Sequence, residues 1–90
     1  MLSKTFIADL VLDTHIQSTF LASAKATRQT KYGDPYLCVT LTDRTGSLEA
    51  RAWEGAEMLA ARFDADDFVL VSGAVTSYQD TLQLKLQDIE

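Results

Sequence analysis

From Cys38 to Trp53 apolar and polar side chains alternate with a period of two on either side of a short polar break. Val39 and Leu41 fall on one side and Cys38, Thr40 and Thr42 on the other; after the break Leu48, Ala50 and Ala52 oppose Glu49, Arg51 and Trp53. That pattern predicts two antiparallel strands with one face in a core. The break, Asp43-Arg44-Thr45-Gly46, supplies the hairpin turn, because Gly46 can take a positive φ and Asp43 can accept backbone N–H groups. The other face carries an arginine and the only tryptophan of the chain, which is more than solubility requires.

The same reading extends in both directions. Phe20 to Thr30 alternates as a long strand, with Phe20, Ala22, Ala24 and Ala26 on one face and Leu21, Ser23, Lys25 and Thr27 on the other. Gly33 and Pro35 then mark a turn, and a second strand is expected from about Tyr36 to Thr42 and a third from Leu48 to Trp53. From Glu54 to Phe63 the period changes to about 3.6, predicting a helix of two to three turns with Glu54 and Glu57 at its positive end and Arg62 at its negative end. Phe68 to Tyr78 predicts a fourth strand, with Gly73 marking a bulge or sharp bend. Leu82, Leu84 and Leu86 alternate with Gln83, Lys85 and Gln87 in a fifth. Three strands, a helix and two strands, with long first and fourth strands, is the order of an all-β, five-stranded OB-fold barrel with one short α-helix between the third and fourth strands. Residues 1–18 are expected to form a lead-in packed on the barrel and residues 19–90 the barrel domain itself.

Composition narrows what such a barrel does. Ninety residues, 47% hydrophobic and 23% charged, describe a single globular domain. Folding can bury roughly 60 to 65% of the surface the unfolded chain exposes, without metal or disulfide staples. Cys38 has no second cysteine to pair with, and one histidine, His15, cannot build a metal site alone, so neither metal nor cofactor is expected. The acidic run Asp64-Ala65-Asp66-Asp67 lacks the ligand series and glycine of a calcium loop. Without a nucleophile–histidine–acid set or a phosphate-cradling glycine loop, no catalytic residues are predicted, and the expected role is binding. Single-cysteine usage fits a reducing, cytoplasmic setting. The opening residues, interrupted by Asp9 and Asp13, make a poor signal peptide and are too short to span a bilayer.

Net charge is −5, which by itself argues against a polyanionic partner. The charge is unevenly spread, however. Residues 23–53 carry five basic groups against three acidic, a balance of +2, whereas residues 54–90 carry two against eight, a balance of −6. An anion-binding surface therefore belongs to the first half, centred on Lys25, Arg28 and Lys31.

The run Gly33-Asp34-Pro35-Tyr36, the turn Asp43 to Gly46, the strand Leu48-Glu49-Ala50-Arg51-Ala52-Trp53, and Tyr78 followed by Gln83-Leu84 stand in fixed order and spacing. Together they resemble the N-terminal OB domain of the YhaM-type 3′-5′ exoribonucleases, over nearly the whole chain. In that family the OB unit precedes an HD-type metal-dependent hydrolase domain and holds the single strand. The resemblance thus implies single-stranded RNA or DNA as partner and an HD hydrolase domain in the same parent chain. The present chain departs from the hydrolase pattern, since His15 is followed by Ile16 and no other histidine is present. Nuclease activity is accordingly not expected of these residues. Asp66 replaces a glycine common at the turn into the fourth strand, and aspartate tolerates the left-handed conformation needed there.

OB folds bind single strands on the outer face of their second and third strands, between the loops joining strands one and two and strands four and five. Alternation puts Tyr36, Arg51 and Trp53 on that face, with Lys25, Arg28, Lys31 and Tyr32 at the first loop and Tyr78, Gln83 and Lys85 at the approach to the fifth strand. Stacking on aromatic rings, with cations following the backbone, predicts binding of low sequence specificity. The rival reading is a protein-interaction or oligomerisation module, homo-oligomeric in one form, in which Trp53, Leu70 and Tyr78 form the contact and no nucleic acid binds. Independently of either reading, a tryptophan at a strand end just before a helix can also serve to seal the barrel against that helix.

Overall fold

The computed structural model describes residues 5–90, and Met1 to Lys4, part of the expected lead-in, lie outside the described residues. Five strands close a barrel: β1 (His15–Gln29), β2 (Pro35–Asp43), β3 (Gly46–Ala52), β4 (Phe68–Tyr78) and β5 (Thr81–Ile89), with one short helix, α1 (Ala56–Ala60), between β3 and β4. Around the barrel the order is β1-β2-β3-β5-β4, with β4 returning to β1. All neighbours are antiparallel except β3 and β5, which pair in parallel through Glu49–Gln83, Ala50–Leu84 and Arg51–Lys85. This is the architecture expected from the element order, and closure leaves no long free sheet edge.

The interior is built from the alternating positions. Val39, Leu41, Leu48, Ala50 and Ala52 are buried as the hairpin pattern required, together with Phe20, Leu37, Val71, Leu84 and Ile89. Ala56, Leu59 and Phe63 plug one end of the barrel from α1 and the residues after it. Gly73 is explained by contact: a Cβ there would lie 2.3 Å from the Lys85 carbonyl oxygen, and the β4–β5 register shifts beside it. Only glycine lets the two backbones approach so closely.

Three expectations change. β1 begins at His15, five residues ahead of Phe20, with Ile16, Ser18, Phe20 and Ala22 all directed inward. The alternation was hidden because one inward position is a serine, whose Oγ donates to the Thr5 carbonyl at 3.0 Å. Further along β1 the register against β2 shifts between Ala22 and Ala24. The bulge reverses parity, so Ala24 and Ala26 do not continue the inward row of Phe20 and Ala22 but lie opposite the outward Thr40 and Cys38. Lys25 and Thr27 then lie opposite the inward Val39 and Leu37. The helix is also shorter than the periodicity implied, five residues starting after Gly55 at φ +64°. It ends where the Lys25 ammonium donates to the carbonyls of Ala60 (2.5 Å) and Phe63 (2.7 Å).

The segment ahead of β1 is tied to the β2–β3 turn. Asp43 accepts from the backbone N–H of Ile7 (2.8 Å) and of Thr45 (2.7 Å), while the Ala8 N–H donates to Thr45 Oγ1. Leu10 is buried against the barrel. One turn carboxylate thus organises the hairpin and anchors the lead-in.

Candidate nucleic-acid interface

On the outer surface of the barrel the register arranges side chains in rows. The first row is Arg28 beside Tyr36, with Trp53 stacked on Tyr36 at a centroid distance of 4.5 Å and an interplanar angle of 26°. The second is Ala26, Cys38, Arg51 and Lys85, and the third Ala24, Thr40, Glu49, Gln83 and Thr76. Successive rows along a strand are separated by two residues, about 7 Å. Trp53 stands just past the end of β3, remains 48% exposed, and lines a hollow with Gly55, Ala56 and Met58 at the start of α1.

Arg51 is the centre of this surface. Its guanidinium carbon lies 6.0 Å from the Tyr36 ring centroid and 5.9 Å from that of Tyr78, so the cation sits between two aromatic rings. Its Nη2 donates to Glu49 Oε2 at 3.2 Å, and Gln83 Nε2 donates to the same oxygen at 3.1 Å. Nε of Arg51 is buried without a protein partner. Cys38, though directed outward, is covered. Burial pushes its thiol pKa up; Arg51 pulls the other way, Glu49 adds to the rise, and Arg28, through charge and a hydrogen bond, also lowers it.

The residues picked out from the sequence do not all meet here. Tyr36, Arg51, Trp53, Tyr78, Gln83 and Lys85 share the outer surface of β2, β3, β4 and β5, and Arg28 joins them because the β1 bulge turns it to that side. Lys85 also lines a hollow with Trp53, Glu54 and Gln87. Lys31 and Tyr32 occupy the β1–β2 turn, with the ammonium 5.1 Å from the ring centroid and Tyr32 80% exposed. Lys25 is placed elsewhere: the same bulge turns its ammonium to the end of α1, where the carbonyls of Ala60 and Phe63 and the Phe63 ring hold it, away from this outer surface. The Glu49–Gln83 contact escaped sequence reasoning because it depends on the parallel pairing of β3 with β5; the only signal was that both positions point outward. Among the described residues no cluster of metal-ligating side chains occurs.

A family model described as an OB-fold nucleic acid binding domain matches residues 23–90. The chain belongs to this OB-fold family. Solved structures share its shape at low identity. The second OB-fold domain of replication protein A from Methanococcus maripaludis is 20% identical with a TM-score of 0.73, the match covering 98% of this chain and 93% of that one. The SSB domain of a Synechococcus sp. protein is 15% identical with a TM-score of 0.70, covering 90% and 96%. Asparaginyl-tRNA synthetase from Pyrococcus horikoshii is 14% identical with a TM-score of 0.75, covering all of this chain and 22% of that enzyme. At these identities the likeness establishes the OB fold.

Proposed function

We propose that this OB-fold domain binds single-stranded RNA or DNA across the outer surface of β2, β3 and β5. Bases stack on the Tyr36–Trp53 pair and on Tyr78, while Arg28, Lys31 and Lys85 contact phosphates. The observation that carries this reading is the half-exposed indole stacked on Tyr36 beside Arg28, a flat aromatic and cationic shelf on a molecule of net charge −5. Stacking accepts every base, so overall sequence specificity is low. With three phosphates neutralised, the logarithm of affinity falls against the logarithm of salt concentration with a slope of about −2. The test is titration of labelled oligonucleotides at several salt concentrations, with quenching of Trp53 fluorescence as the second signal. An unchanged emission spectrum and no anisotropy change at low salt would end the proposal.

We propose further, from the resemblance of its motif order to that of the YhaM-type enzymes alone, that the domain is the substrate-holding module of a 3′-5′ exonuclease; finding an HD hydrolase domain downstream in the source gene tests it. The interaction-module reading draws on a different observation, the exposure of Phe68 and Leu70 on the outer side of β4. Sedimentation showing concentration-dependent self-association without oligonucleotide binding would favour it.

A further inference from the structure

The third row of the shelf places a carboxylate where a single strand would lie. Glu49 Oε2 is occupied twice, by Arg51 and by Gln83, which fixes the orientation of the group. Oε1 has no protein partner among the described residues, and the side chain is 42% exposed. A phosphate is repelled there, and what a fixed acceptor-only oxygen attracts is an N–H donor. Tyr78, largely exposed, has its ring 5.9 Å from the same Arg51 guanidinium that holds Glu49, so a base stacked there would lie beside the carboxylate.

We propose that Glu49, held by Arg51 and Gln83, makes this end of the shelf a guanine-selective subsite within an otherwise permissive surface. The chemistry of the base edges decides the choice. Guanine presents two adjacent donors, N1–H and the N2 amino group, to the free Oε1, and its neighbouring O6 accepts from an N–H of Gln83 or Arg51 not used on Oε2. Cytosine and adenine offer one amino group beside a ring-nitrogen lone pair that the carboxylate repels. Uracil and thymine offer one N–H between two carbonyl oxygens. Only guanine meets the carboxylate with two adjacent donors. The Trp53 end of the shelf lies two rows, about 14 Å, from Glu49 and reads no base.

The inference rests on the proposed single-strand binding, and the experiment separates the two. A six-nucleotide thymidine oligomer is titrated against the protein, with one guanine moved from position to position, and then with inosine, adenine or cytosine at the best position. Guanine at one position is expected to tighten binding about tenfold, and inosine, which lacks only the N2 amino group, loses most of that gain. Glu49→Gln should bind the all-thymidine oligomer as well as the unmodified protein or better, while no longer distinguishing guanine from inosine. Binding of every oligomer within twofold, or a guanine preference that survives in Glu49→Gln, overturns the subsite and leaves single-strand binding standing. Absence of binding to any oligomer overturns both.

Discussion

Replacing Trp53 with alanine sets the two roles of an aromatic residue at a strand end against each other. The indole is about half exposed, so truncation removes cover from roughly 120 Å² of the 250 Å² such a side chain can bury. At about 25 cal/mol per Å² that is at most ~3 kcal/mol, and about 2–2.5 kcal/mol once the compactness of the unfolded chain is allowed for. Lost stacking on Tyr36 falls within that figure. For a domain of this size the melting temperature should drop by about 4–8 °C for each kcal/mol. Binding should suffer more: one stacked base contributes about 1–3 kcal/mol, which is roughly a 5- to 150-fold rise in Kd. Because the variant has no tryptophan, affinity is read by anisotropy of a labelled oligonucleotide and stability by circular dichroism melting. Trp53→Phe retains a flat face and should recover most of the affinity. If Trp53→Ala binds within twofold of the unmodified protein while losing 3–5 kcal/mol of stability, the side chain is a seal and the shelf reasoning fails.

Four further outcomes follow from the structure. Lys25→Ala frees the carbonyls of Ala60 and Phe63 and should cost about 1–2 kcal/mol in denaturant unfolding, with oligonucleotide affinity unchanged within twofold; a large affinity loss would return Lys25 to the interface. Gly73→Ala places a methyl group 2.3 Å from the Lys85 carbonyl oxygen and should destabilise by about 3 kcal/mol, measured in the same way. The β4–β5 turn holds Gln79 and Asp80 at φ +52° and +63°, so the double change Gln79→Asn and Asp80→Gly suits it better and should raise the melting temperature by a few degrees, about 0.5–1 kcal/mol. The Cys38 thiol has a folded-state pKa above its ordinary value of 9.0, so its contribution is complete below that value and is lost as pH rises past it; stability measured across alkaline pH should fall more steeply for the unmodified protein than for Cys38→Ala.

The linear pattern determined the elements and most of the inner face. Alternation in Val39, Leu41, Leu48, Ala50 and Ala52 specifies which side of the hairpin meets the core, since a strand's side chains have no third direction to take. The same parity sent Tyr36, Arg51 and Trp53 outward, and Gly73 announced a close approach of backbones that the Lys85 carbonyl supplies. Other features were settled only by the closed barrel. A bulge inserts one residue into β1 and exchanges the destinations of Lys25 and Arg28, sending the first to the end of α1 and the second to the shelf. Nothing local marks the bulge, because its position depends on how β1 must bend to pair with both β2 and β4. The meeting of Glu49 with Gln83 comes from strands 34 residues apart, joined by a parallel pairing that closure imposes. Residue identity fixes what each side chain can donate or accept, whereas the strand register fixes which of them share a surface.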